Sequence, residues 1–218
     1  MMLEFVEYAA KGQHKATVIW LHGLGDSGNG FLPIAPELDL PESLGIRFVF
    51  PHAPVQPVTI NGGMEMRAWY DIKSMELENR ADEAGVRESA AAVAQLIEQE
   101  IAAGIPADKI ILAGFSQGGV ISLHLAPRLS DTLAGVMALS TYMCAPQKLG
   151  SEAIQPALNV FMAHGSHDPV VPMQAGKTAY NALVEQGYDV SWQDYPMEHQ
   201  VCIEELKAIR AWLISRLS

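Results

Sequence analysis

The chain has 218 residues, of which 49% are hydrophobic and 18% are charged, and this composition is that of an ordinary globular protein rather than a disordered or fibrous one. Fourteen basic and twenty-five acidic residues give a formal net charge of −11 at pH 7. Because this charge repels phosphate backbones and anionic lipid headgroups, nucleic acid is not an expected partner. The length suits one α/β domain, and we expect residues 1–218 to form a single unit.

The first segment, Met1–Tyr8, carries acidic residues where a secretory signal peptide needs basic ones. No segment of the sequence approaches the roughly 20 apolar residues that are needed to cross a bilayer. We therefore expect a soluble, cytoplasmic protein without stable membrane insertion.

Short apolar segments recur along the chain, with helical segments between them. This alternation is typical of a mostly parallel sheet that is covered by helices on both faces. Leu3–Tyr8 and Val190–Tyr195 alternate apolar and polar residues, which predicts edge strands. The predicted central strands are Thr17–Leu21, Ile46–Phe50, Ile110–Ala113, Gly135–Leu139 and Val160–Ala163.

Two amphipathic helices are predicted from residues that recur at three- and four-residue steps. The first extends from about Asn79 to Ala103, and the second closes the chain. Between the second central strand and the first of these helices, Pro51–Met75 has no clear periodicity and is rich in Pro, Gly and Met. Loops of this length in compact domains are usually functional. The apolar stripe of the last helix is Cys202, Leu206, Ile209, Leu213 and Leu217.

The two cysteines, Cys144 and Cys202, lie far apart and lack the spacing of a zinc site. Since no signal peptide is apparent, we expect free buried thiols rather than a disulfide. The position of Cys202 on the apolar stripe predicts that it is a core residue.

The motif Gly114-Phe115-Ser116-Gln117-Gly118 follows the third predicted central strand and precedes a segment that favours a helix. It matches the Gly-x-Ser-x-Gly nucleophile elbow, a strained turn that exposes the serine hydroxyl. The glycines fit because such a turn brings residues on either side of the serine so close that a Cβ would clash. Ser116 is the candidate nucleophile, and the alternative is a glycine-rich turn with an incidental serine.

A serine hydroxyl needs a base, and the base needs an acid that fixes its tautomer. In α/β-hydrolases the acid and then the histidine follow the serine along the chain. Asp168 lies on a loop after the fifth predicted strand, and His199 lies between the last edge strand and the final helix. Both residues therefore belong to the carboxyl edge of the sheet, where α/β sites assemble.

Five other histidines fit the role of the base less well. Two share the short loop that holds the candidate acid, one falls within the helix after the elbow, and two precede the nucleophile. They are His164 and His167, His124, and His14 and His52, respectively.

Acyl transfer also requires two donors for the tetrahedral oxyanion. One candidate is the backbone N–H of Gln117, the residue after the nucleophile. The other is the N–H of Leu24, in a glycine-framed loop that follows the first central strand. The Leu24 side chain is then free to line an acyl pocket. The alternative for this loop is a simple connection between a strand and a helix.

Six motifs occur in chain order: Leu21-His22-Gly23-Leu24-Gly25-Asp26-Ser27, Pro51-His52-Ala53-Pro54, Pro57-Val58-Thr59-Ile60-Asn61-Gly62-Gly63, Trp69-Tyr70-Asp71, Gly114-Phe115-Ser116-Gln117-Gly118-Gly119 and His164-Gly165-Ser166-His167-Asp168-Pro169-Val170-Val171-Pro172. Together they resemble the acyl-protein thioesterase and lysophospholipase-like carboxylesterases, particularly their small bacterial branch. The resemblance extends over almost the whole chain.

The resemblance implies an α/β-hydrolase fold without a large cap domain. It implies a triad of Ser116, Asp168 and His199, and oxyanion donors at Leu24 and Gln117, with no metal or organic cofactor. One departure concerns the residues before the base, where the family usually has Gly or Ser and this chain has Met197-Glu198. A carboxylate beside the imidazole either raises its pKa or points to solvent.

The expected function is hydrolysis of short- to medium-chain acyl esters, with thioesters as a further substrate, through an acyl-enzyme. The loop Pro51–Met75 resembles the family's acyl-pocket loop, in which Met64, Met66 and Trp69 either contact the acyl chain or pack the loop down. The alternative enzyme is an acyl-protein thioesterase or lysophospholipase that acts on long chains. The non-enzyme alternative is an inactive ligand-binding protein, and a homodimer is compatible with apolar residues near the mouth of the site.

Two further enzyme classes fit the sequence less well. A dienelactone-hydrolase-like enzyme would carry Cys at position 116, where this chain has Ser. A serine peptidase of this fold usually has an additional propeller or cap domain, for which the chain is too short.

Overall fold

The structure is a computed structural model that describes residues 3–74 and 81–218. Its strands are β1 (Phe5–Tyr8), β2 (Ala16–Leu21), β3 (Ile46–Pro51), β4 (Val55–Val58), β5 (Met64–Arg67), β6 (Ile110–Phe115), β7 (Gly135–Leu139), β8 (Asn159–Gly165) and β9 (Asp189–Tyr195). Its α-helices are α1 (Gly28–Phe31), α2 (Ile34–Glu37), α3 (Glu83–Ala102), α4 (Gln117–Leu125), α5 (Leu149–Glu152), α6 (Met173–Glu185) and α7 (Ile203–Leu217).

The main sheet has seven strands in the order β1-β3-β2-β6-β7-β8-β9. The edge strand β1 is antiparallel to β3, and all other neighbours are parallel. The predicted central and edge strands are therefore confirmed. Because the carboxyl ends of the parallel strands meet at one edge, the loops that follow them come together there.

The central strands are buried on both faces of the sheet. Successive side chains of a strand point to opposite faces, so Ile19 and Leu21 of β2 join one buried cluster while Val18 and Trp20 join the other. Helices α3, α4 and α6 contribute to the first cluster, and α2 and α7 contribute to the second. The helices thus cover both faces, as the alternating sequence pattern predicts.

The first predicted helix is confirmed as α3, although its predicted first residue, Asn79, lies outside the described residues. The helix ends before Gly104, whose φ of +99° suits glycine. Helix α6 was not predicted. Its buried face consists mainly of small residues, Ala175, Gly176 and Ala179, which give a weaker apolar pattern than branched side chains.

The segment Pro51–Met75 was expected to lack regular structure, but it contains the two-stranded antiparallel sheet β4–β5. The pattern was hidden because Pro57 lies within β4 and Gly62-Gly63 form the turn with positive φ values. Met75 itself lies outside the described residues. Within residues 3–74 and 81–218 no large cap domain is present.

The expectation that Cys202 is a core residue was wrong. Cys202 has an extended backbone and precedes the first residue of α7, so the helical stripe was extrapolated one residue too far. Cys202 is half-buried, and the buried residue in the first turn of α7 is Glu205. Both cysteines are free, and Cys144 is buried.

In the part of the chain that the structure describes, no helix has both the length and the apolar character of a membrane span.

Candidate active site

Ser116 lies between the end of β6 and the start of α4, at the carboxyl edge of the sheet. Its backbone has φ +53° and ψ −117°, a strained conformation for a residue that is not glycine. Such strain persists only where the surrounding structure holds it, and it is common at functional sites. The predicted sharp strand-to-helix turn is therefore confirmed.

The glycines on either side of Ser116 allow close backbone contacts. A Cβ at Gly114 would lie 2.2 Å from the backbone carbonyl group of Gly118, and a Cβ at Gly118 would lie 2.3 Å from the carbonyl oxygen of Leu21. Both separations are shorter than any van der Waals contact. The predicted steric role of these two glycines is confirmed.

Asp168 and His199 are in direct contact, with 2.6 Å between His199 Nδ1 and Asp168 Oδ2. Asp168 Oδ1 accepts the backbone N–H groups of Val170 and Val171 at 2.8 and 2.9 Å, and the side chain is 0% exposed. A carboxylate can only accept, so His199 Nδ1 carries the proton and the opposite ring nitrogen, Nε2, is left as an acceptor.

Contacts between two loops align this pair. Strands β8 and β9 pair as far as Gly165 and Tyr195, and the N–H of His167 donates to the carbonyl oxygen of Met197 at 3.1 Å. A Cβ at Gly165 would lie 2.3 Å from the carbonyl oxygen of Glu198. Gly165 therefore lets the segment that carries His199 approach the loop that carries Asp168. This role was not predicted from the sequence, although Gly165 lies within the motif His164–Pro172.

The His199 ring lies next to the nucleophile elbow. Its centroid is 4.7 Å from that of Phe115, the residue before Ser116. Phe115 in turn contacts Phe31, with 5.5 Å between ring centroids. An aromatic wall thus supports the imidazole on the side of the elbow.

Two other histidines are structural. His164 is 1% exposed, and its Nε2 donates to the carbonyl oxygen of Val171 at 2.8 Å, on the same loop that surrounds Asp168. Burial lowers its pKa, which favours the neutral ring. His124 lies within α4, where burial lowers its pKa to about 4. His164 Nε2 lies 3.6 Å from Asp168 Oδ2, farther than His199 Nδ1 at 2.6 Å, so His199 is the hydrogen-bonded partner of this oxygen.

His22 fixes the glycine-framed loop after β2. Its Nδ1 lies 2.6 Å from the carbonyl oxygen of Gly23, and its Nε2 accepts the N–H of Ala53 at 3.0 Å. The ring is fully buried, which lowers its pKa and keeps it neutral. A Cβ at Gly23 would lie 3.5 Å from Ser116 Cβ. The loop that carries Leu24 is therefore adjacent to the nucleophile.

The Gln117 side chain connects the elbow to the segment after the hairpin. Its Oε1 accepts the N–H of Trp69 at 2.9 Å, and its Nε2 donates to the carbonyl oxygen of Tyr70 at 2.8 Å. Trp69 Nε1 donates to the carbonyl oxygen of His22 at 2.9 Å. Since Trp69 is 1% exposed, its ring packs beneath the site rather than presenting a face to an open pocket. These side-chain roles of Gln117 and His22 were not predicted from the sequence.

The other expected acyl-pocket residues differ in exposure. Met64 is 64% exposed at the tip of the hairpin, and Leu24 and Met66 are partly buried against the larger core cluster. Met66 Sδ accepts a hydrogen bond from Asn61 Nδ2 at 3.4 Å. Only the methionine at the tip is therefore freely accessible.

A cavity of about 720 Å³ opens beside α6. The Tyr142 hydroxyl, in its wall, lies 2.9 Å from the hydroxyl of Tyr70, whose carbonyl binds Gln117. Burial raises the pKa of the Cys144 thiol to about 11, so this thiol stays protonated near neutral pH. This cavity was not predicted from the sequence, because its walls come from three segments that are distant in the chain. They include Glu83, Tyr142, Met143, Cys144, Ala145 and Ala175.

Comparisons with known proteins agree on one family. Residues 3–216 match the model of the phospholipase/carboxylesterase family. The chain is 42% identical over 219 residues to acyl-protein thioesterase 1 of Neurospora crassa, with 95% of this chain and 89% of that protein covered. The structure resembles Arabidopsis thaliana SOBER1 with a TM-score of 0.89 at 32% identity, covering 94% of this chain and 100% of that one. It also resembles esterase PE8 with a TM-score of 0.85 at 27% identity, covering 99% of each chain.

Proposed function

Since the chain belongs to the phospholipase/carboxylesterase family, whose members include esterases and thioesterases, we propose that it is a carboxylic ester hydrolase that works through an acyl-enzyme on Ser116. The observation that carries this proposal is the 2.6 Å contact between His199 and Asp168, on loops that meet beside a strained serine. A buried carboxylate with this partner orients an imidazole for base catalysis.

In the proposed mechanism, Ser116 Oγ attacks the carbonyl carbon of the ester while His199 Nε2 accepts the hydroxyl proton. The imidazolium then donates this proton to the leaving alcohol or thiol, which leaves Ser116 acylated. A water molecule, activated by the same imidazole, hydrolyses the acyl-enzyme and returns the serine. Asp168 holds the ring and stabilises its charged form.

The proposed oxyanion donors are the backbone N–H groups of Leu24 and Gln117. Gln117 is the first residue of α4, where backbone N–H groups lack intrahelical acceptors and the helix dipole favours negative charge. The closeness of Gly23 to Ser116 supports a second donor from the next residue, Leu24. Donors that are held in place before the reaction supply the largest single contribution in many enzymes of this kind.

We propose that Leu24, Met64 and Met66 contact the acyl group of a short- to medium-chain ester, while Trp69 supports them from below. A second candidate function is hydrolysis of long-chain acyl thioesters. The cavity of about 720 Å³ beside Tyr142 favours it, because a cavity of this size class has room for an extended acyl chain.

We also propose that residues 1–218 form one hydrolase domain and that the protein acts in the cytoplasm. The match of residues 3–216 to one family model supports the single domain. A homodimer through the hairpin is part of the proposal, and the exposure of Val55 and Met64, 59% and 64%, supports it.

Hydrolysis of p-nitrophenyl acetate and butyrate by wild type and Ser116→Ala tests the mechanism. We expect the variant to lose at least about 10⁴-fold in kcat with its fold intact, because the nucleophile is gone. Ser151→Ala is the matched control, since the Ser151 hydroxyl is exposed and binds the carbonyl oxygen of Lys148. Equal activity of wild type and Ser116→Ala would remove Ser116 from the mechanism.

Chain-length preference decides between the two candidate substrates. Initial rates on p-nitrophenyl esters of 2 to 16 carbons, and on the matching acyl-coenzyme A thioesters, give two profiles for one enzyme preparation. A kcat/KM maximum at or below about eight carbons supports the short-chain ester proposal. A maximum at 14 to 16 carbons on thioesters supports the second candidate instead.

A further inference from the structure

Residues 139–141 hold both backbone polar groups of Ser116. The N–H of Ser116 donates to the carbonyl oxygen of Leu139 at 2.9 Å, and Thr141 Oγ1 donates to the carbonyl oxygen of Ser116 at 2.6 Å. Ser140, between them, has φ +46°, and its N–H donates to the carbonyl oxygen of Ala163 at 2.8 Å. Ser140 and Thr141 are at most 1% exposed. This buried turn is therefore anchored in the sheet and holds the backbone of Ser116 from one side. We call residues 139–141, with the hydroxyl of Thr141, the Thr141 clamp.

The clamp acts on the peptide unit that contains a proposed oxyanion donor. The carbonyl of Ser116 and the N–H of Gln117 belong to the same planar trans peptide, in which the two groups point in opposite directions. A hydroxyl that fixes the carbonyl therefore fixes the direction of the N–H. Its hydrogen bond also polarises the peptide, which strengthens the N–H as a donor.

We propose that Thr141 is a positioning residue for the oxyanion hole, which acts through the peptide unit between Ser116 and Gln117. This inference rests on the proposed function, in which the Gln117 N–H binds the oxyanion. The strained backbone of Ser116 relaxes unless its surroundings hold it. Without the Thr141 hydroxyl, the peptide plane gains freedom to rotate, and the N–H loses its alignment with the developing negative charge.

The packing around Thr141 allows a substitution to remove its hydroxyl while the shape of the side chain is kept. A Cβ at Gly119 would lie 2.7 Å from three side-chain atoms of Thr141, so α4 packs directly on this residue. A valine at position 141 keeps this shape and loses only the donor. The carbonyl of Ser116 also accepts the N–H of Val120 at 3.2 Å. It is therefore still paired after the substitution, which limits the cost in stability.

The test compares Thr141→Val with Thr141→Ser, by steady-state hydrolysis of p-nitrophenyl butyrate. We expect Thr141→Val to lower kcat about tenfold, less than the loss of a whole oxyanion donor, with KM within about twofold of wild type. Thr141→Ser should restore most of kcat because it returns the hydroxyl. If Thr141→Val does not fold, Thr141→Ala carries the same comparison.

A boronic acid, which forms a tetrahedral adduct with the serine, gives a second readout. Its affinity for Thr141→Val should fall by the same factor as kcat/KM, because both report stabilisation of the tetrahedral species. The matched control is Thr17→Val, which removes another buried hydroxyl, one that donates to Glu100 Oε2 at 2.6 Å at the amino end of β2. This control should lower stability and leave kcat unchanged.

Three results would overturn the inference: wild-type kcat in Thr141→Val, unchanged boronic acid affinity despite a lower kcat, or no recovery in Thr141→Ser. Each of these is distinct from failure of the proposed function, which appears as full activity of Ser116→Ala.

Discussion

Two buried carboxyl groups, Asp168 and Glu205, lie on either side of His199 in sequence and differ in almost every contact. The Asp168 side chain accepts two backbone N–H groups and contacts His199. Glu205 is 0% exposed, and neither of its oxygens has a well-formed hydrogen bond among the described residues. Burial raises the pKa of Glu205 to about 8, and the N–H of Cys202 offsets this only in part.

The difference shows that burial alone does not determine what a carboxyl group can do. Three N–H groups around Asp168 replace the water it has lost, so the site can hold a negative charge next to an imidazole. Glu205 has lost its water without such replacement, and it is therefore held in the protonated form near neutral pH. The first acid suits a charged catalytic role, and the second suits a neutral position at the start of α7.

The largest expected effect comes from making Asp168 neutral. Asp168→Asn keeps the shape but offers His199 an amide, which no longer requires the Nδ1 tautomer. We expect kcat on p-nitrophenyl butyrate to fall by about 10⁴-fold, as the base is left in the wrong tautomer. Circular dichroism and a melting curve should report an intact fold.

The charge control for this variant is Asp131→Asn, an exposed acid before β7 at the opposite edge of the sheet. It makes the same change in net charge and should keep wild-type kcat. A loss of less than tenfold in Asp168→Asn would mean that the acid does not orient the base, and the contrast between the two carboxyl groups would fail.

The second effect concerns the pH dependence of stability. The pKa of Glu205 is about 8 in the folded protein and near 4.5 in the unfolded chain, so the folded state binds more protons between these values. The stabilisation is complete below pH 4.5 and is lost as pH rises towards 8. At about 1.4 kcal/mol per pKa unit, the loss amounts to a few kcal/mol.

Glu205→Gln removes this titration and keeps the shape. We expect the free energy of unfolding of the variant, relative to wild type, to increase between pH 5 and pH 8, as measured by urea denaturation. Tyr195, a titratable neighbour of Glu205, does not titrate in this range, because burial raises its pKa to about 12. Glu204→Gln, on the exposed side of the same turn, is the control. A parallel pH dependence in Glu205→Gln and wild type would contradict the assignment.

The sequence predicts that Asp168 is the acid beside His199, but it does not predict that Glu205 is buried. Asp168 follows a continuous apolar strand, and chain order together with the elbow motif selects it and His199. Glu205 was missed because an isolated acid in the first turn of a helix is usually exposed. The start of α7 was expected to bury Cys202, but the helix begins only at Ile203, and Glu205 is the buried residue of its first turn.

Other parts of the site depend on contacts between distant segments, which no local pattern contains. The Thr141 clamp forms only once β7 lies beside β6, and the buried place of Trp69 depends on Gln117, 48 residues away. The roles of the two elbow glycines could be predicted from the sequence, whereas the role of Gly165 could not. The elbow has a known backbone geometry from which its glycines can be explained, whereas Gly165 meets a segment 32 to 33 positions later in the chain.

The smallest expected effect comes from a third acid, Glu198, directly before His199. Its side chain is exposed, and its backbone carbonyl packs against the loop of Asp168. Water and salt screen an exposed charge. We therefore expect Glu198→Gln to keep kcat within about twofold and to move the acid limb of the kcat/KM profile by no more than about 0.3 pH unit at low salt. The shift should vanish in 0.5 M NaCl, where the Debye length is only about 4 Å. A shift of a full pH unit that persists in salt would show that Glu198 turns towards the imidazole, and the site would then have two carboxylates acting on one base.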